Sequence, residues 1–180
     1  MKKLLLSIIV ILLTVAFTSC SAEFANMGMF EDNDEKKADE TFRILISAIE
    51  LKDDSKLVDM FSNAVRSEND LSQSAEKFVD YIHGDIVSLS SARESGVGSS
   101  YTTENGKRRK EIQSSFCINT TENAYYIAMK ECVIDEFDKN NIGLLSIYII
   151  ESNNWTVDCV YRGDGKWTKG INIFGFDQTD

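Results

Sequence analysis

The sequence predicts an α+β domain in which three N-terminal helices cover one face of an antiparallel sheet. Three observations predict it. Apolar residues recur at helical spacing up to Ile82, the spacing changes to that of strands from Ile86, and Gly84 stands between the two regimes, where a left-handed residue commonly closes a helix. Helices that precede the strands without alternating with them give an α+β arrangement rather than parallel crossover units.

The first segment lies outside that domain. Met1, Lys2 and Lys3 lead into an apolar run from Leu4 to Phe17, interrupted by Ser7 and Thr14, after which small polar residues follow. That is the three-part pattern of a secretory leader. A membrane-spanning helix needs roughly 20 apolar residues, and this run ends well before the first acid, Glu23. Cys20, directly after Phe17-Thr18-Ser19, makes the stretch resemble the lipobox of bacterial lipoproteins, with Phe17 where Leu is usual. The resemblance implies acylation of Cys20, cleavage in front of it, and attachment to the membrane on its extracytoplasmic face. Two acyl chains, at about 0.8 kcal/mol per buried methylene, hold where a single chain is reversible. Ordinary cleavage after Ala22, releasing a soluble protein, is the alternative. Residues 1–19 are thus expected to be a signal peptide, 20–33 a flexible tether, and 34–180 one domain.

Asp32 or Asn33 can cap the first helix, predicted over residues 34–51, where Ala38, Phe42, Leu45 and Ile49 share one face. Lys52-Asp53-Asp54-Ser55 breaks it, and Ser55 can cap a short helix carrying Leu57, Val58, Met60 and Phe61. The third helix starts near Asn69 or Asp70 and buries Leu71, Ala75, Phe78 and Ile82. Strands are expected over 86–93, 107–119, 124–137 and 142–151, with a fainter one over 156–161. The Ser-Gly cluster over 95–100 reads as a loop. Alternation sets Tyr125, Ile127, Met129, Glu131, Val133 and Asp135 on one side of their strand, and Tyr126, Ala128, Lys130, Cys132 and Ile134 on the other.

The chain has 19 Lys and Arg against 29 Asp and Glu, for a net charge of −10; loss of Lys2 and Lys3 with the leader makes it more acidic. This balance argues against nucleic acid as a partner and against lying flat on anionic lipid. Besides Cys20, an odd set of Cys117, Cys132 and Cys159 remains, each in an apolar run, and these read as small buried hydrophobes with at most one disulfide among them. The Cys and His spacings of a metal site, the nucleophile elbow and the phosphate-cradling glycine loop are all missing from the sequence, so no metal or cofactor is expected.

Five short motifs follow one another along the chain: F-R-I-L-I-S-A-I from Phe42, D-M-F-S from Asp59, H-G-D-I-V-S from His83, N-I-G-L-L-S-I-Y from Asn141 and W-T-K-G-I from Trp167. Together they resemble a family of uncharacterised bacterial lipoproteins, domain of unknown function 5104. That family is typical of Gram-positive anaerobes and is similar in fold to the nuclear transport factor 2 (NTF2) and ketosteroid isomerase group, a cystatin-like curved sheet that helices wrap into a cone. The resemblance implies a cone of three helices on a curved antiparallel sheet, and it carries over no catalytic residue.

A cone offers a pocket between the sheet and the first and third helices. His83, the single histidine, is a candidate there because imidazole titrates near neutrality, although its place before Gly84 equally suits it to a helix end. Tyr126 and Tyr148 are candidate pocket residues, since a tyrosine beside a carboxyl such as Glu131 or Asp135 could transfer a proton as in the isomerases of this fold; core packing is the alternative. Lys107, Arg108, Arg109 and Lys110 could form a basic patch that grips an acidic partner or a phosphate-rich polymer, though alternation would divide them between two faces. The resulting expectation is a cell-surface lipoprotein whose domain binds a small ligand or a protein without catalysis. A small proton-transfer or hydrolytic enzyme in the cone is the alternative, and an immunity or inhibitor lipoprotein with an acidic neutralising surface is the third reading.

Overall fold

The structure, a computed structural model, describes residues 21–67, 70–92, 97–154 and 168–174. Cys20, Cys159, Trp167 and the strand expected over 156–161 lie outside the described residues. The chain divides into two compact units, Met1–Lys36 and Lys37–Asp180. Helix α1, Ser21–Glu50, begins in the first and ends in the second. Within the stretch expected as a flexible tether over 20–33, the backbone of 21–33 is helical: it contains no proline and a single glycine, Gly28, so nothing in it stops a helix. Among the described residues no helix is long and apolar enough to cross a membrane.

Three further helices follow: α2, Asp54–Asp59; α3, Asn63–Arg66; and α4, Leu71–Tyr81. The described residues thus hold four α-helices where three were predicted: α2 ends at Asp59, before Met60 and Phe61, and α3 is an additional turn beyond the predicted second helix. Asp53, not Ser55, caps α2, its carboxylate accepting from the Lys56 N–H at 2.9 Å. Ser62 caps α3 by accepting from the Val65 N–H. Between the two helices the chain joins the sheet: the Ser62 N–H donates to the Leu144 carbonyl at 2.9 Å and the Leu144 N–H to the Met60 carbonyl at 3.0 Å.

The sheet has six strands: β1 Ile86–Ser91, β2 Gly98–Glu104, β3 Lys107–Thr120, β4 Ala124–Asp135, β5 Gly143–Glu151 and β6 Gly170–Ile173. Its order is β1-β3-β4-β5-β6, with β2 also paired to β3. β1 and β2 lie end to end along one edge of the long β3, β1 against its second half and β2 against its first. Neither β2 nor β6 was expected. Asn105 and Gly106, at φ 50° and 76°, form the two-residue hairpin turn that joins β2 to β3. β6 runs parallel to β5, so the sheet is mixed rather than antiparallel throughout.

Two bulges shape it. Val133 has no partner where Glu111 faces Cys132 and Lys110 faces Ile134, and Leu145 has none where Lys130 faces Ser146 and Glu131 faces Leu144. Each reverses the alternation beyond it and bends the strand.

The helices cover the face made of Ile112, Phe116 and Ile118 from β3, Tyr125, Ile127 and Met129 from β4, and Ile147 and Ile149 from β5, all buried. Phe42 of α1 stacks on Phe116, ring centroids 3.9 Å apart and planes within 4°. Tyr81 of α4 meets Tyr125 edge to face at 5.7 Å. The end of α4 is closed by Lys52, whose ammonium donates to the Val79 and Ile82 carbonyls, a favourable place for a cation at a helix C-terminus. Gly84 then turns the chain into β1 at φ 81°, where a Cβ would lie 2.7 Å from Thr121 Oγ1.

Candidate functional site

The space between helices and sheet, where a cone pocket was expected, is filled. Phe61, Phe78, Leu45, Ile127, Met129 and Tyr125 all sit there below 2 % exposure. The polar atoms on this side are structurally engaged. Tyr125 OH accepts from the His83 N–H at 3.0 Å and donates to the Tyr81 carbonyl at 3.3 Å, and Glu131 accepts from Thr41 Oγ1 at 2.7 Å and pairs with Lys37 at 3.2 Å.

The three candidate pocket residues do not converge. His83 is exposed beyond the end of α4, along a shallow hollow of about 370 Å³ that it shares with Glu76, Lys77 and Asp80. Its backbone, not its imidazole, is tied down, since its carbonyl accepts from Thr120 Oγ1 at 2.6 Å. The helix-end role considered for its side chain belongs to Lys52. Tyr126 and Tyr148 share the opposite face of the sheet, where Tyr126 stands across from Ile150 and Tyr148 from Ala128. With Phe174, which stacks on Tyr148 at 5.7 Å, they form a second, smaller apolar cluster. Tyr148 OH accepts from the Thr168 N–H, and both rings pack in this cluster.

Farther along that same outer face the chemistry turns ionic. Arg109 and Glu111 of β3 stand beside Lys130, Cys132 and Asp135 of β4, and a chain of ion pairs links them. Lys130 Nζ is 2.7 Å from Glu111 Oε2, Glu111 Oε1 accepts from Arg109 Nη2, and Arg109 Nε faces Asp135 Oδ2 at 3.7 Å. That Nε is buried and makes no hydrogen bond. Burial works against the charge of Glu111, but the hydrogen bond from Lys130 and the nearby Arg109 outweigh it and hold the carboxyl below its ordinary range. Burial likewise opposes ionised Asp135, yet the N–H groups of Asp138 and Phe137, the Asn141 amide and Arg109 keep its pKa low. Asp135 thereby fixes the β4–β5 connection as well as closing the ionic chain.

Beside this network an open cleft of about 430 Å³ is lined by Ser100, Thr102, Glu104, Arg109, Glu111 and Phe137. Lys107 Nζ stands 5.9 Å over the Phe137 ring. The four candidate bases therefore do not form one patch. Lys107 and Arg109 belong to the cleft face, whereas Arg108 and Lys110 project to the helix side. Arg108 is held by Glu136, with Nη2 at 2.6 Å and Nε at 3.1 Å from Oε1, and Lys110 is buried.

Of the cleft residues only Arg109 is a candidate from the sequence; Glu111, Phe137 and the three β2 residues are not. The alternation of Arg109, Glu111 and Gln113 against Lys110, Ile112 and Ser114 carried a signal for the first; the β2 residues needed the hairpin turn to be recognised.

Two thiols lie on the outer face. Cys117 is opposite Tyr126 and Cys132 opposite Glu111, six residues apart along β3, which is about 20 Å at strand rise. A disulfide needs Cα atoms within about 7 Å, so these two cannot pair, and both are free. Burial pushes the Cys132 thiol up to about 11 and raises that of Cys117, which leaves both as neutral apolar groups rather than nucleophiles. Among the described residues no group of three or more His, Cys, Asp or Glu is placed to hold a metal ion.

Fold and site together define a small α+β domain with a filled interior and a polar cleft on the outer face of its sheet. The chain belongs to the family described as Domain of unknown function (DUF5104), whose model matches residues 44–152. The matched region contains α2 to α4, β1 to β5 and every residue of the cleft. A comparison with curated proteins finds no match.

Proposed function

We propose that the protein is a lipoprotein, anchored through Cys20 on the outer face of the cytoplasmic membrane of a Gram-positive bacterium, whose domain binds without catalysis on the outer face of its sheet. The observation that carries this reading is the contrast between the filled helix side and the open cleft at Ser100, Thr102, Glu104, Arg109, Glu111 and Phe137. A guanidinium, two carboxylates and two hydroxyls around one aromatic ring suit a small polar compound carrying both charges, or a short peptide segment. The two bulges support the further view that the sheet is the curved wall of an NTF2-like cone, because bulges are how long strands bend. The lipobox-like stretch before Cys20 supports the anchor.

Thr102→Trp tests the binding site, because it fills the cleft from an exposed strand position without touching the core. Among amino acids and short peptides of mixed charge, those that raise the melting temperature of the wild type should leave this variant unmoved. Equal shifts in both proteins would refute the cleft as the site. Cys20→Ser should abolish labelling by radioactive palmitate and release the protein from the membrane fraction. Labelling that persists would remove the anchor from the proposal.

A further inference from the structure

β2 is an edge strand without the usual protection. All but its first residue, Gly98, are exposed, and among the described residues it pairs with β3 alone. Natural sheets blunt such edges with Lys, Pro, bulges or very short strands. β2 has seven residues, Gly98-Ser99-Ser100-Tyr101-Thr102-Thr103-Glu104, no Lys or Pro, and an unbroken register against β3. The other edges differ, since β1 carries an irregularity between Ile86 and Ser88 and β6 is four residues long.

The hairpin turn fixes which backbone groups point outward. In a two-residue hairpin the closing pair, Glu104 and Lys107, is hydrogen-bonded, so bonding to β3 alternates back through Thr102 and Ser100. The N–H and C=O groups of Ser99, Tyr101 and Thr103 therefore face away from the sheet. This set is symmetric about Tyr101. We propose that two copies of this chain pair antiparallel through β2, with the two-fold axis at Tyr101, so that one sheet continues into the next. Tyr101 then faces the partner's Tyr101, and Ser99 faces the partner's Thr103, satisfying all the outward groups with about six hydrogen bonds. The side chains agree with this register. An exposed aromatic meets its own copy, Ser meets Thr, and the only charge on the strand, Glu104, faces the partner's Gly98, so no like charges stand opposite. The local charge also permits it: the bases Lys107, Arg108, Arg109 and Lys110 at this end are balanced by Glu104, Glu111, Asp135 and Glu136, with Arg108 paired to Glu136 and Arg109 to Glu111 and Asp135, in a chain of net charge −10. Ser100 and Thr102 line the cleft, so the pairing also sets two clefts side by side across the axis.

Cysteine cross-linking of the full chain in detergent tests the register. Hydrogen-bonded antiparallel partners have Cα atoms about 5.5 Å apart, within disulfide range, so Tyr101→Cys should give a covalent dimer at least about tenfold more abundantly than Glu104→Cys. Glu104 and its copy would be about 20 Å apart. Native cysteines are the same in both variants and contribute equally. Equal cross-linking of the two, no dimer with either, or a Tyr101→Cys adduct to a different protein would each overturn the proposal. In sedimentation velocity the wild type should run at twice the mass of Tyr101→Lys, with the two melting alike; a monomeric wild type would overturn it as well.

Discussion

The two faces of this sheet are made by the same strands and have opposite characters. On the helix side, Phe116, Ile127 and Ile149 stand in one row across β3, β4 and β5, under Phe42. On the outer side, the intervening positions hold Tyr126, Ala128 and Tyr148 toward one end and Arg109, Glu111, Lys130 and Asp135 toward the other. Strand alternation makes the division, and the bulge at Val133 completes it. Without that extra residue Asp135 would share the helix side with Glu131; with it, Asp135 reaches Arg109. The comparison teaches that apolar packing and an open polar cleft occupy different sides of one wall, so that changes on the two sides should have different consequences.

The largest expected effect is on the filled side. Phe116→Ala removes a buried ring and its stacking partner's contact, and should cost about 3–5 kcal/mol by denaturant unfolding. A loss under 1 kcal/mol would mean that the side is loosely packed and that a cone pocket is open after all. Gly143→Ala probes the seam where the helical segment joins β5. Its φ is 124° and a Cβ would lie 2.9 Å from the Ser62 N, so a loss of about 1–3 kcal/mol is expected.

Asp135→Asn acts on the outer side, where burial makes one charge matter. It should cost about 1.5–3 kcal/mol near neutral pH, the worth of hydrogen bonds to a charged acceptor. The sign of the pH dependence follows from the depressed pKa of Asp135. Its contribution is fully present above the unfolded carboxyl value of about 3.9 and is lost as pH falls through the lower folded value. The stability curves of wild type and variant should therefore converge below about pH 4, and parallel curves would show that the Asp135 charge contributes nothing.

Most of this division was legible in the sequence. Helical spacing at Ala38, Phe42, Leu45 and Ile49 and again at Leu71, Ala75 and Phe78 correctly named the buried helix faces, and the alternation of 124–135 correctly opposed Tyr125, Ile127 and Met129 to Tyr126, Ala128 and Lys130. What failed has physical reasons. β2 is exposed on both faces, so no apolar alternation marks it, and only the Asn-Gly turn betrays it. β6 is four residues long and joins the sheet through pairing with a distant strand, which local composition does not encode. A bulge changes no residue type, only register, so the side on which Asp135 lies was unreadable. The cleft depends on β2 and on the strand end beyond the bulge at Val133, and so the charged run at Lys107–Lys110 looks like a site in the sequence although the fold separates its members.

Cys132 sharpens the comparison at lower energy. A thiol raised to about 11 by burial should resist iodoacetamide at pH 8 in the folded protein and react once guanidine unfolds it. Rapid labelling of the native state would show that water reaches the outer face beside Glu111 and that this side is not packed.

Arg109→Ala should have the smallest effect on stability and the most informative one. Arg109 is 39 % exposed in its side chain, and Glu111 keeps Lys130 at 2.7 Å when the guanidinium is gone. The coupling between Arg109 and Glu111 in a double-mutant cycle should thus be about 0.2–1 kcal/mol and shrink at high salt. A larger, salt-independent coupling would place the pair inside the core of the fold, and the cleft they line would then be a structural seam. A small one leaves the guanidinium free to exchange Glu111 for an anionic group of a ligand, which is what a binding site on this face requires.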